Sequence, residues 1–280
     1  MNDWHTDCQD SRDSTAFFYY AGHGLTRGRG DYNVLLTLAD LFTPNESKFK
    51  RMALASNIFN GMAPQHINDT IARQQIFFFD CCRSFPAAMS NFDDRSVSPV
   101  LDVFVVEGLS DDRAVSRFYA VPDLAAAFAS AGTGTFFCKS VLDALDRANR
   151  NVQGKGWQLD GQAIEQRLKA RYKPSSSRAL DSRTIDGGPV LLRLAQPRLV
   201  DVEVALQPQA SALGRSIGLD RSVTGLIQGV AIAAGQYTVD VPPGEYELKV
   251  LPPSGSWTAM NDRQIVVPEF ENPWVSTGWP

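Results

Sequence analysis

The sequence predicts an α/β domain, a mostly parallel sheet flanked by helices, followed by a small all-β, sandwich-like domain. Two apolar runs, 16–21 and 76–79, end at polar turns, as strands buried on both faces of a parallel sheet do. Beyond residue 198, apolar and polar residues alternate with a period of two, which is typical of antiparallel strands. We therefore expect two domains, residues 1–195 and 196–280.

The first half of the chain predicts a βαβ unit. A strand over 16–20 is followed by a short strand over 33–37, and apolar residues then recur at helical spacing over 49–59 and 66–75. These two helices would form the crossover to the parallel strand over 76–79.

The remainder of the first domain predicts alternating loops, helices and strands. Pro86, Pro99 and a polar run between them indicate an exposed loop over 84–100. The other expected elements are a strand over 117–120, helices over 140–149 and 160–172, and a strand over 190–194 as the last of the main sheet. Asp160 is expected to cap the second of these helices.

The composition narrows the classes of function and of partner. The 280 residues carry a formal net charge of −4 without a basic block, which argues against nucleic acid and anionic membranes as partners. The sequence lacks an apolar run of membrane-spanning length and a signal peptide, so we expect a cytoplasmic protein. Its four cysteines lack metal-type spacing, which favours reduced thiols.

Reactive side chains follow both apolar runs. His23 lies between Gly22 and Gly24 after the first run, and Cys82 follows Asp80 and Cys81 after the second. Open α/β sheets bind ligands at the carboxyl ends of their strands. Because only the thiolate attacks, a cysteine at neutral pH gains reactivity from a nearby imidazole. The pattern predicts a His–Cys dyad at the mouth of the sheet.

These residues resemble the caspase-like cysteine peptidases, the clan of caspases and metacaspases. The Gly-His-Gly turn and the Asp-Cys-Cys-Arg stretch fit that family's base and nucleophile motifs, and the separation of 82 − 23 = 59 residues suits a caspase-type pair. The register selects Cys82 rather than Cys81. The likeness covers residues 16–195. Relatives carry further strands and helices before the histidine strand, so we expect an N-terminally incomplete domain with an open apolar edge beside residues 16–20.

The resemblance implies a cysteine endopeptidase that forms a thioester acyl-enzyme. His23 would be the base, Cys82 the nucleophile, and the N–H groups of Gly24 and Cys82 the oxyanion hole. Asp80 resembles the acidic residue that favours Arg or Lys at the P1 position; alternatively it ends the strand and binds local backbone. Arg83 and Cys81 would then be structural residues.

We expect no cofactor and no required metal, because the acidic pairs Asp93-Asp94 and Asp111-Asp112 are typical of solvated loops. The expected partners are a protein or peptide substrate and a partner chain bound through the β domain or the open sheet edge. Two other functions remain open. One is an inactive, truncated interaction protein that keeps the dyad residues, and the other is a thiol-based transferase or hydrolase.

Overall fold

The computed structural model has the predicted α/β architecture. It describes residues 1–26, 34–37, 52–66, 69–84, 97, 100–101, 110–122, 125, 129–130, 134–172, 180–185, 188–207, 216–221, 225–228, 236–242, 244–251, 258–266 and 275–278. The predicted loop over 84–100 lies mostly outside these residues. The chain divides into two compact units. The first consists of Met1–Leu142 and Asp160–Leu192, and the second of Asp143–Leu159 and Arg193–Pro280. The domain boundary at residue 195 stays a prediction.

Up to residue 194 the described part of the chain contains both helices and strands. The helices are α1 Asn2–Asp7, α2 Ala55–Gly61, α3 Phe136–Arg147 and α4 Gly161–Arg171. The strands of this part are β1 Thr15–Ala21, β2 Gly24–Thr26, β3 Val34–Thr37, β4 Met52–Leu54, β5 Gln74–Asp80, β6 Ala114–Tyr119, β7 Ala129–Ser130, β8 Gly134–Thr135, β9 Arg150–Val152, β10 Gly156–Asp160, β11 Asp181–Ile185 and β12 Val190–Leu194.

A four-stranded sheet of order β1-β5-β6-β11 organises the first unit. The strands β1, β5 and β6 run parallel, and β11 is antiparallel to β6. A second, three-stranded antiparallel sheet of order β2-β3-β4 lies between β1 and β5 along the chain. In the described part, the crossover from β1 to β5 thus consists of this sheet and α2.

The central strand β5 is buried along almost its whole length. Phe77, Phe78 and Phe79 are fully buried, because alternate side chains of a strand point to opposite faces and both faces of this sheet are covered. The ring of Phe78 lies 5.2 Å from that of Phe118, between ring centroids, and 5.3 Å from that of Phe17. These contacts fasten β5 to both neighbouring strands.

Three sequence predictions are corrected by the structure. The predicted helix over 66–75 is wrong: where residues 69–75 are described they are not helical, since the N–H groups of Ala72 and Arg73 donate to the carbonyls of Cys8 and Arg12. The predicted helix over 49–59 begins only at Ala55, because Met52–Leu54 pairs with β3. Residues 190–194 form a strand, but the last strand of the main sheet is β11.

The helices predicted over 140–149 and 160–172 are confirmed as α3 and α4. Thr135 precedes α3, and its hydroxyl accepts the N–H of Cys138 at 2.9 Å, so the helix begins earlier than the predicted residue 140. Asp160 caps α4, as predicted, with its carboxylate accepting the N–H of Ala163 at 2.9 Å.

The C-terminal part of the chain is all-β in the described residues. Its strands are β13 Val200–Gln207, β14 Ser216–Arg221, β15 Gly225–Gln228, β16 Gln236–Val241, β17 Gly244–Leu251, β18 Thr258–Val266 and β19 Val275–Gly278. They form two sheets, of order β16-β13-β19 and β15-β14-β17-β18, and most of their pairings are antiparallel. The predicted all-β character of this region is confirmed, and its sandwich-like arrangement stays a prediction. None of the described helices combines the length and the apolar character needed to span a membrane.

Truncation of Phe78 should destabilise the first unit strongly. Phe78→Ala removes a fully buried ring and is expected to lower the free energy of unfolding by about 3–5 kcal/mol, measured by urea denaturation. Phe17→Ala is the control, because the Phe17 side chain stays 43% exposed and its loss should cost less than half as much. Equal losses in the two variants would contradict the central place of β5 in the core.

Candidate active site

The histidine turn follows β1 directly. His23 lies two residues beyond the last residue of the strand and is exposed to solvent, whereas Gly24 begins β2 and is buried. The backbone of this turn is held against the end of β5, since the N–H of Gly22 donates to the carbonyl of Asp80 at 3.2 Å. The strand pairing therefore continues into the turn and fixes the position of the His23 backbone.

The cysteine turn follows β5 in the same way. Cys81 is buried in the hydrophobic core, and Cys82 is half-buried. Burial raises the pKa of the Cys81 thiol to about 12, with smaller contributions from Cys82 and Asp80. Cys81 therefore stays a neutral thiol in the core at ordinary pH, and Cys82 is the member of the pair that reaches solvent.

The two turns are in register with each other. Ala21 pairs with Asp80 within the sheet, and Leu25 forms a parallel bridge with Ser84 beyond it. Both pairs are separated by 59 residues (80 − 21 and 84 − 25), which is also the separation of His23 and Cys82. The hydrogen bond from the N–H of Thr26 to the carbonyl of Ser84, at 2.9 Å, continues the same alignment. His23 and Cys82 thus each lie two residues beyond the paired ends of β1 and β5, between the same two backbone pairs.

Gly24 fits closely against the cysteine turn. A Cβ atom at this position would lie 2.4 Å from the carbonyl oxygen of Cys82 and 2.5 Å from Sγ of Cys81, distances that real Cβ atoms do not adopt. Any side chain at residue 24 would therefore push the two turns apart. The Cys81 thiol fills the space that a side chain of Gly24 would need, which places it on the core side of the turn.

Asp80 is a buried carboxylate at the end of β5, with an exposed fraction of only 4%. Its Oδ2 accepts hydrogen bonds from the hydroxyl of Tyr19, at 2.8 Å, and from the hydroxyl of Thr135. No described group hydrogen-bonds to its Oδ1, although that atom is also buried. Among the described residues, the partners of the Asp80 carboxylate are side chains of β1 and β8 and not the local backbone, and Oδ1 has no donor.

Arg83 lies in the core next to the half-buried cysteine. Its guanidinium forms an ion pair with Asp181 at the start of β11 and lies 4.7 Å above the centroid of the Tyr119 ring. Its backbone N–H donates to the carbonyl of Ala125 at 2.9 Å. Arg83 therefore connects the cysteine turn to β6 and β11, in agreement with a structural residue.

Sequence reasoning missed the partners of both buried charges. Tyr19 and Thr135 hold Asp80, and Asp181 holds Arg83, from positions as many as 98 residues away. Burial, and after it the bond to Asp80, raises the pKa of Tyr19, so its hydroxyl keeps its proton and continues to donate. The only local signal was that β1 contains polar aromatic residues, Tyr19 and Tyr20, in a mostly apolar run.

The acidic pairs do not form a metal centre in the part that is described. Asp111 pairs with Arg113, and Asp112 with Arg12 and Arg73; Asp93 and Asp94 lie outside the described residues. The Arg113 guanidinium holds the pKa of Asp111 below its usual value. Among the described residues, no group of three or more His, Cys, Asp or Glu side chains could hold a metal ion.

Comparison with known proteins identifies one family. The family model described as the caspase domain matches residues 1–177, more than half of the chain. The match contains all four of the predicted site residues, His23, Gly24, Asp80 and Cys82. No curated protein matches the sequence.

The two adjacent cysteines should differ sharply in reactivity. In native protein at pH 8, iodoacetamide should alkylate Cys82 in a Cys81→Ala variant, whereas Cys81 in a Cys82→Ala variant should stay unmodified. The reason is that burial raises the pKa of Cys81 to about 12, so its thiolate becomes abundant only near that pH. Mass spectrometry of the peptide that contains both positions measures the modification. Equal labelling of the two thiols in the folded variants would contradict this assignment, and unfolding in urea should make them equal.

Proposed function

The chain belongs to the caspase-domain family of cysteine peptidases, and on that basis we propose that it is an endopeptidase in which His23 and Cys82 form the catalytic dyad. The observation that supports the dyad most directly is the shared register of the two turns, with Ala21 opposite Asp80 and Leu25 opposite Ser84. The exposure of His23 and the partial exposure of Cys82 leave both residues open to a substrate.

The reaction would follow the usual order of acyl transfer. His23 takes the proton of the Cys82 thiol, and the sulfur attacks the scissile carbonyl carbon. The N–H groups of Gly24 and Cys82 stabilise the oxyanion of the tetrahedral intermediate. His23 then gives the proton to the leaving amine, so that the C–N bond breaks and a thioester remains. Water, deprotonated by His23, attacks the thioester, releases the carboxylic acid and regenerates the thiol.

The environment of the Asp80 carboxylate supports a preference for Arg or Lys at P1. Asp80 Oδ1 is buried without a donor among the described groups, and such an oxygen is costly to leave unpaired. A guanidinium or ammonium group of the substrate would supply the missing donor and the opposite charge. An Asp at P1 would instead bring a second carboxylate towards Asp80, which is unfavourable in a site shielded from water.

A fluorogenic peptide panel tests both the activity and the preference. Peptides with Arg or Lys at P1 should be cleaved, and the peptide with Asp at P1 should not. Replacement of Arg at P1 by citrulline, its neutral analogue, should lower kcat/KM by about 100-fold, because one partner of a buried ion pair is lost. Cys82→Ala should abolish cleavage, whereas Cys81→Ala should retain it.

The role of Asp80 has its own matched control. Asp80→Asn should remove the discrimination between Arg and citrulline. Asp112→Asn removes a carboxylate that precedes β6, at the opposite end of the sheet, and should preserve the discrimination. Folded wild-type protein that cleaves none of the peptides would contradict the peptidase and favour an interaction protein. Cleavage with equal rates for Arg and citrulline would contradict only the role of Asp80.

A further inference from the structure

The carbonyl oxygen of His23 is bound unusually heavily for an exposed turn residue. It lies 2.8 Å from the hydroxyl of Tyr20, and it accepts the N–H of Thr37 at 3.0 Å and the Thr37 hydroxyl at 3.1 Å. A carbonyl oxygen has two lone pairs, and water alone could satisfy one at the surface. Two donors from Thr37, and the Tyr20 hydroxyl whose single proton is shared with the carbonyl of Thr37, instead fix the backbone of His23 to the ends of β1 and β3.

Gly22 makes room for the hydroxyl of Tyr20. A Cβ atom at residue 22 would lie 2.7 Å from the Tyr20 oxygen and 2.9 Å from its Cζ atom. The tyrosine ring therefore lies directly against the turn, and its hydroxyl passes the glycine to reach the carbonyl of His23. The same oxygen lies 2.9 Å from the carbonyl of Thr37, so one hydroxyl bridges the ends of β1 and β3.

The Tyr20 hydroxyl is suited to remain a donor. Burial raises the pKa of Tyr20 above its ordinary value, and this effect is larger than the opposing effect of the side chain and backbone of Thr37. The phenol therefore keeps its proton at neutral and mildly alkaline pH. The histidine turn is also held by the hydrogen bond from the N–H of Gly22 to the carbonyl of Asp80 and by the close contact of Gly24 with Cys82.

We propose that Tyr20 and Thr37 are positioning residues that hold His23 at the correct place beside Cys82. This inference rests on the proposed function. Neither hydroxyl takes part in the chemistry: both act through the backbone of His23, whose imidazole must remain within hydrogen-bond reach of the sulfur. Loss of this support allows the turn to shift, and a displacement of about 1 Å in a catalytic group can slow a reaction by as much as about 100-fold.

The test is Tyr20→Phe, which removes one oxygen and keeps the packed ring. On an Arg peptide, kcat should fall by about 10-fold or more, whereas KM should stay within about twofold of the wild type, because Tyr20 affects the dyad and not substrate binding. Alkylation of Cys82 by iodoacetamide at pH 7 should slow in parallel. Tyr172→Phe is the matched control: Tyr172 is a buried tyrosine at the end of α4, and its variant should keep both rates.

Substitutions of Thr37 separate positioning from general stability. Thr37→Val keeps the N–H and the shape of the side chain but loses the hydroxyl, so kcat should fall. Thr37→Ser keeps the hydroxyl, so its kcat should stay close to that of the wild type. Wild-type values of kcat and alkylation rate in Tyr20→Phe would overturn the inference while leaving the peptidase intact. A higher KM and a lower thermal stability of Tyr20→Phe, with kcat unchanged, would also overturn it. If the wild type cleaves no peptide, the proposed function fails, and equal alkylation rates of wild type and Tyr20→Phe then overturn the inference independently.

Discussion

The site depends on one alignment, the parallel pairing of β1 with β5 that continues beyond the ends of both strands. Ala21 lies opposite Asp80 and Leu25 opposite Ser84, with the histidine and cysteine turns between these two pairs. A slip of one residue would exchange the faces of all side chains on one strand. Gly24 protects the alignment, because only a residue without a side chain fits against Cys81 and Cys82, and a slip would bring His23 or Leu25 to that place. The glycines beside His23 thus set the register as well as the shape of the turn.

Two buried charges flank the cysteine turn, and each is held by distant parts of the chain. Asp80 is bound by Tyr19 and Thr135, and Arg83 by Asp181. Burying a charge is favourable only when it is well paired, and removing one partner of a buried pair costs about 3–5 kcal/mol. Among the described groups, none donates a hydrogen bond to Oδ1 of Asp80, and an unsatisfied buried polar atom costs about 1–3 kcal/mol. Buried polar atoms that lack a hydrogen bond are typical of binding sites, where a ligand supplies the missing partner.

The sequence predicted the parts of the molecule that local chemistry determines. The apolar runs of β1 and β5, the polar turns after them and the cap at Asp160 all follow from neighbouring residues, whereas the choice of Cys82 over Cys81 came from the family resemblance. It failed where distant segments decide the conformation. Residues 69–73 have helical spacing, but their N–H groups bind the carbonyls of Cys8 and Arg12, and β4 is a strand because β3 pairs with it. Apart from the polar aromatic character of Tyr19, the partners of Asp80 and Arg83 carry no sequence signal, because they come from segments whose place beside the site is known only from the structure.

The most direct test of this account is the dependence of Cys82 reactivity on His23. The chain has only three histidines, so His66→Ala and His5→Ala serve as matched controls for His23→Ala. The rate of Cys82 alkylation by iodoacetamide at pH 7 should fall by about 10-fold or more in His23→Ala, because an adjacent imidazole raises the thiolate population. The two control variants should react like the wild type, and added imidazole should partly restore the rate of His23→Ala. An unchanged rate in folded His23→Ala protein would show that the two turns do not form a dyad and would contradict the account.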